Sequence, residues 1–212
     1  IMLALGLNIV VGFAGLLEND CQDQYFQDLK FRFYFLLHKY GLEKKLEKVE
    51  FFKHRPDNFP TIRFSQLANL YAKHQNLFGN LIEAQNIEQL QSLFEISVSD
   101  YWLTHYQFDR ESPKKSKKLS KAFVDLIVIN TVIPVLFAYS KSIQKDQTDF
   151  LIGLTEQLPA ERNAILDKFE NFGVKSENAF ESQALLELKN NYCQYGKCLS
   201  CEIGIHLLKN PQ

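Results

Sequence analysis

Glycine and proline are scarce in this 212-residue chain, at nine and six respectively. Folds built from many β-hairpins use these residues at every turn, so their scarcity argues against a sandwich or a barrel. Charge of one sign is missing too. Lysine and arginine total 24 against 25 aspartates and glutamates, a net charge of −1. That balance excludes a uniformly basic nucleic-acid coat and an acidic tail protein, and any electrostatic function must come from a local patch. Cysteine stands at four, too few for a disulfide-stapled secreted domain. Methionine occurs once, at position 2 behind Ile1, so the sequence is read as part of a longer protein.

Clean apolar spans are also lacking. Residues 1–17 are apolar, but no basic segment precedes them and Asn8 interrupts them. Residues 122–139 carry Asp125, Asn130 and Pro134, short of an unbroken membrane span. Both read as buried helices, with no membrane partner and the cytoplasm as the expected compartment.

What the sequence does have is helical periodicity. Phe26, Leu29, Phe33, Leu36, Leu37 and Tyr40 follow the three-four spacing of one helix face, with Gly41 placed to end it. Leu67, Leu70, Tyr71 and Phe78 repeat the pattern after Pro60, and Ile87, Leu90 and Phe94 give a shorter helix. Another covers residues 101–106. Residues 119–140 predict a long helix kinked or broken near Pro134, because proline lacks a backbone donor and clashes one turn back. Phe150, Leu151, Leu154 and Leu158 mark the next helix. Pro159 then suits a first helical position, leading to Ile165, Leu166, Phe169 and Phe172 and a stop at Gly173. Ser176 is the expected cap of a helix with Phe180, Ala184, Leu185, Leu188 and Tyr192 on its face. A last short helix holds Ile205, Leu207 and Leu208. The expected fold is all-α: a single multi-helix domain over residues 1–212. Two stretches read as non-helical: residues 49–62, with two prolines, and residues 110–118, an exposed basic linker.

The most chemical feature is a cysteine clasp over residues 190–208. Cys193 ends one helix, residues 194–197 turn, and Cys198 and Cys201 open the next, giving a short helix-turn-helix. Thiols expected at a helix N-terminus beside Lys197 suit metal binding or redox chemistry. Three readings stand: a metal site for zinc or an iron–sulfur cluster, a redox pair of Cys198 and Cys201, and three reduced thiols packed as small hydrophobes. The metal reading needs a fourth ligand. His206 is about 140° around a helix from Cys201, and Cys21 is the second candidate.

Arg55, Asn58 and Arg63 stand on and after the proline loop. Arginine forks suit phosphate or carboxylate, but they also tie irregular loops to helix ends. His105 lies in the string Tyr101-Trp102-Leu103-Thr104-His105-Tyr106, with no carboxylate or hydroxyl at a spacing that makes a recognisable catalytic pair. An aromatic core face is the plainer reading of that string. Arg110, Lys114, Lys115, Lys117, Lys118 and Lys121 form a basic segment that reads either as a solvated linker or as a contact for nucleic-acid phosphates.

Several strings, taken together, carry a resemblance. They are Arg55-Pro56 with Asn58-Phe59-Pro60-Thr61-Ile62-Arg63 and Gln66-Leu67-Ala68, the 101–106 aromatic string, and Ile129-Asn130-Thr131-Val132-Ile133-Pro134. A further set runs from Ser182-Gln183-Ala184-Leu185 through Tyr192-Cys193, Cys198-Leu199, Cys201 and Ile203-Gly204. From about Phe13 onward the chain resembles the C-terminal part of the bacterial domain-of-unknown-function family 2851. The resemblance implies no assigned activity and an additional N-terminal region, similar to a restriction-endonuclease-type fold, as a partner within the same protein. The expectation is therefore a helical accessory or interaction domain. It has a metal-binding clasp at Cys193, Cys198 and Cys201, and assists nucleic-acid processing through Arg55, Arg63 and Lys114, Lys115, Lys117 and Lys118. The alternatives are an enzyme with its site around His105, Arg55, Asn58 and Arg63, and a purely structural, metal-free domain.

Overall fold

The structure, a computed structural model, describes residues 2–51 and 53–210, with side chains from residue 6 onward. Residue 1 of the apolar opening run and residue 52 of the proline loop lie outside the described residues. Among the described residues the fold is all-α apart from one small hairpin. It divides into two compact units, Ile1–Glu83 with Gln91–Lys121 and Ala84–Leu90 with Ala122–Gln212.

In the first unit, α1 (Met2–Phe13) packs on α2 (Gln24–Tyr40) and α3 (Pro60–Lys73). Their shared core is Leu7, Val11, Leu17, Phe26, Leu29, Phe33 and Ala68. Asp23 starts α2 by accepting a hydrogen bond from the Phe26 amide at 3.0 Å, and Gly41 ends it in the left-handed conformation at φ 59°. There the Leu42 amide reaches back to the Leu37 carbonyl at 2.9 Å. Gly12 lets α1 close on α2, since a Cβ at that position would meet the Phe33 ring at 2.2 Å. The buried stripe of α2 is Phe26, Leu29, Phe33 and Leu36, as the spacing predicts, but Tyr40 is exposed.

For α3 the expected face holds only at Leu70. Leu67 and Tyr71 are exposed, as is Phe78 in the helix after it, whereas Thr61, Ile62, Ser65, Gln66 and Ala68 are buried beside Leu70. Polar side chains occupy this interface because they bond to the segments that cross it. α4 (Leu77–Glu83) and α5 (Ile87–Leu93) follow. The aromatic string is only half helical: α6 (Asp100–Thr104) gives way at His105 to β1 (His105–Gln107), which pairs antiparallel with β2 (Arg110–Glu111).

In the second unit, α7 (Lys121–Ile127) continues through a π turn (Val128–Val132) into α8 (Ile133–Ser142). The helix is not broken at Pro134. The Ile133 amide bonds five residues back to the Val128 carbonyl, and this widened turn accommodates the missing proline donor. Asn130 donates to the Leu126 carbonyl at 3.2 Å, the role expected for a polar residue before a helical proline. The 121–142 run is long and apolar enough to cross a membrane by length and composition, and it buries Val124, Asp125, Val128, Ile129, Val132 and Leu136.

Next come α9 (Thr148–Glu156), α10 (Ala164–Asn171) and α11 (Ala179–Glu187). Pro159 does not open a helix; it bridges Asn178, and Asn163 caps α10 by accepting from the Ile165 and Leu166 amides. Asn178 rather than Ser176 caps α11, accepting from the Glu181 amide at 2.9 Å. α12 (Glu202–Lys209) closes the chain.

The close approach at Gly12 yields a matched prediction. Gly12→Ala should destabilise the protein by about 1–3 kcal/mol, because overpacking against a fully buried ring outweighs alanine's helix propensity. Gly153→Ala in α9, where a new Cβ meets nothing within 4 Å, should be neutral or stabilising. Urea unfolding of the two variants beside the parent checks both.

Candidate functional site

The Arg55–Arg63 loop, the aromatic string and the basic segment converge in the first unit. The pivot is Lys117, only 4% exposed. Its ammonium donates to the Trp102 carbonyl and, at 2.8 Å, to the His105 carbonyl, and it lies 3.7 Å from the centre of the Tyr106 ring. Its own carbonyl accepts from Gln66 Nε2 at 2.9 Å. Burial holds the Lys117 ammonium below the ordinary lysine range, and the carbonyls and ring face supply the partners a desolvated cation requires. Lys117 is therefore not a solvated phosphate contact, as the sequence pattern suggests, but an internal anchor.

Residues 112–120 are likewise not a loose linker. The Ser112 amide donates to the Thr104 carbonyl at 2.7 Å, Lys115 to Leu103 at 2.9 Å, and Leu119 to Ile96 at 3.0 Å. The segment forms a strap fastened at intervals to α6 and its flanks. Between the fastenings, Lys114 and Lys118 are exposed.

Asp57 joins the strap to the proline loop. Its Oδ2 lies 2.7 Å from the Lys115 ammonium, and its Oδ1 accepts from Tyr106 Oη at 3.0 Å. The bond from Lys115 holds the Asp57 carboxyl below the usual carboxylate range, and Asp57 in turn raises Lys115. Arg55 precedes the short 3-10 turn Pro56–Asn58 that carries Asp57, and its side chain is exposed. Thr61 Oγ1 donates to the Tyr106 carbonyl at 2.6 Å, tying the start of α3 to the hairpin.

Arg63 is used internally. Its guanidinium donates to Asn58 Oδ1 at 2.5 Å and to Gln66 Oε1 at 2.9 Å. His105 is buried and stacks on Tyr101 with ring centres 4.0 Å apart and planes at 7°. Tyr101 stacks on Tyr25 through its other face and donates to Asp23 at 2.6 Å. His105 Nδ1 lies 3.0 Å from the Tyr101 carbonyl and 3.0 Å from Thr104 Oγ1. A groove of about 300 Å³ between loop and hairpin is lined by Pro56, Phe59, Tyr106, Gln107, Arg110 and Ser112 among others. None of Arg55, Asn58, Arg63 or His105 lines it, so the four residues of the enzyme alternative do not share this pocket.

The second unit places the cysteines. Cys193 and Cys198 are exposed, Cys201 is half-buried, and all three line one apolar pocket of about 180 Å³. Cys198 lies in a 3-10 turn (Cys198–Ser200) and Cys201 is the N-cap of α12, not two residues of one helix. Among the described residues, no group of three or more His, Cys, Asp or Glu is gathered to hold a metal ion, so Cys193, Cys198 and Cys201 converge without forming a ligand set. A larger depression of about 680 Å³ is lined by Glu161, Arg162, Asp167, Glu170, Lys175 and Glu177 among others.

Sequence reasoning missed Asp57, Thr61, Gln66 and Tyr106. The available signal was the polar stripe Thr61, Ser65 and Gln66, at helical spacing beside a buried Ile62. It also missed the outer face of α2, where Phe31 (75% exposed), Tyr34 and Phe35 stand among Lys30, Arg32 and Lys39.

The first unit is thus a helical scaffold that fastens a cationic strap beside an arginine-bearing loop. The profile of the family described as "Protein of unknown function (DUF2851)" matches residues 6–164, more than half of the chain, and the chain belongs to that family. The match takes in the loop, the aromatic string and the strap; it starts earlier than the expected Phe13 and stops before Cys193, Cys198 and Cys201. No curated protein and no solved structure matches the chain.

Lys117→Met keeps the apolar stem but removes the donor from two buried carbonyls. It should cost about 1.5–3 kcal/mol in urea unfolding, against less than about 0.5 for Lys118→Met on the exposed side. Asp57 has its own signature. Because its folded pKa is lowered, its contribution is complete above the unfolded carboxyl value and is lost as pH falls through the folded one. Thermal midpoints measured downward from about pH 4 should fall less steeply for Asp57→Asn than for the parent.

Proposed function

We propose that this chain is an interaction domain that holds the phosphates of a nucleic acid along the rim formed by the proline loop and the strap. The observation that carries this reading is the Asp57–Lys115 ion pair at 2.7 Å, which draws two basic segments far apart in sequence into one surface. Arg55 on the loop, Arg110 on the hairpin and Lys114 and Lys118 on the strap are exposed. A cation fixed to an ordered backbone loses less freedom on binding a phosphate than one on a flexible linker. Lys117 and Arg63 act as positioning residues in this reading, since their donors are engaged inside the unit.

The outer face of α2 supports a nucleic acid with unpaired bases. Exposed aromatic rings interleaved with cations suit base stacking alongside phosphate contact, which adds about 1–3 kcal/mol per base in single-strand binders. The expected ligand is therefore a single strand rather than a duplex.

Fluorescence anisotropy with single- and double-stranded oligonucleotides at several salt concentrations tests the proposal. Binding should weaken steeply with salt, and Lys114→Ala with Lys118→Ala should reduce the log–log salt slope by about one per lost contact. Phe31→Ala should weaken single-strand binding without changing that slope. Absent or salt-independent binding removes the proposal.

A further inference from the structure

The cysteine pocket belongs to the second unit and stands apart from the phosphate reading. Its construction is specific. Gly204 of α12 sits directly over Cys198: a Cβ there would lie 2.3 Å from the Cys198 carbonyl oxygen and 2.9 Å from its Cα. A side chain at position 204 would push the helix off the turn and open the pocket. Beneath it, the Cys201 amide donates to the Cys198 carbonyl at 3.3 Å.

That hydrogen bond sets the distance that matters for thiol chemistry. A turn closed between residues i and i+3 keeps their Cα atoms within about 7 Å. A disulfide spans about 4.4–6.8 Å between Cα atoms. Cys198 opens this turn, Cys201 is the residue that closes it, and both line the same pocket. Cys198 is exposed to an oxidant in solution and Cys201, half-buried, stands next to it; both are free thiols in this structure. Cys193 lines the same pocket, but no closed turn spans it and Cys198.

We infer that Cys198 and Cys201 form a reversible disulfide pair that responds to hydrogen peroxide. The Cys198 thiolate attacks one peroxide oxygen, the O–O bond breaks, and the departing oxygen takes up protons to leave as water. Cys198 is then a sulfenic acid. The Cys201 thiolate attacks its sulfur, the S–O bond breaks, the oxygen leaves as a second water, and the S–S bond forms. The two thiols together lose two electrons and two protons, and the peroxide receives them. In a reducing compartment the pair rests as thiols, and the bond forms only under oxidative load. Once formed, it locks the turn on which α12 is seated.

The test uses the full chain, reduced, freed of reductant and treated with one equivalent of hydrogen peroxide, then alkylated and mapped by mass spectrometry. Two of the four thiols should become resistant to alkylation, in one peptide carrying a Cys198–Cys201 bond that dithiothreitol reverses. Cys193→Ser should leave this bond intact. Cys201→Ser should stop at a sulfenic acid on Cys198, trapped by dimedone. Circular dichroism of each variant confirms that it is folded. The inference is overturned if the bond maps to Cys193, if Cys198 passes to sulfinic acid with Cys201 still free, or if all four thiols stay reactive. Zinc co-purifying with the parent and protecting these thiols from peroxide would also overturn it.

Discussion

A lysine ammonium removed from water must be given partners at every donor, or the charge becomes intolerable. Lys117 meets this condition with the carbonyls of Trp102 and His105 and the face of Tyr106. Each partner lies on the aromatic string, so satisfying the cation fixes where the string ends as a helix and turns into the hairpin. Gln66 grips the Lys117 carbonyl from α3, and Arg63, bonded to the same Gln66, connects the anchor to Asn58 of the proline loop. Three segments that are irregular in isolation are set by one buried charge.

The anchor explains why an overall neutral chain can still present an ordered basic surface. With Lys117 inside and Lys115 paired to Asp57, the strap has little freedom to rotate, and Lys114 and Lys118 are left outward. The same arrangement engages Arg63 and His105 within the unit. Arg63 is spread across two side-chain acceptors, and His105 is buried, stacked on Tyr101 and within 3.0 Å of its carbonyl.

The helices were largely legible because apolar residues at three-four spacing bury one face: Phe26, Leu29, Phe33 and Leu36 did so, and Gly41 ended α2 where its left-handed conformation was needed. α3 was misread because the same rule assumes that the buried face is the apolar one. Its inward face carries Thr61, Ser65 and Gln66, which clamp other segments, while Leu67 and Tyr71 face out. Pro134 suggested a break that a π turn absorbs. In the site, charge type was visible but burial was not: nothing in a run of lysines distinguishes Lys117 from Lys118 except the carbonyls that await it. The cysteines were recognised as a cluster, and their convergence on one pocket follows, but the 3-10 geometry that pairs two of them depends on the seat made by Gly204.

Amide hydrogen exchange across residues 112–120 examines the anchored strap most directly. The amides of Ser112, Lys115 and Leu119 donate to the Thr104, Leu103 and Ile96 carbonyls. They should exchange far more slowly than their neighbours in the strap, with protection approaching that of α6. Exchange of all three at the rate of an unstructured peptide would contradict the account, returning the basic segment to a free linker and dissolving the rim built on it.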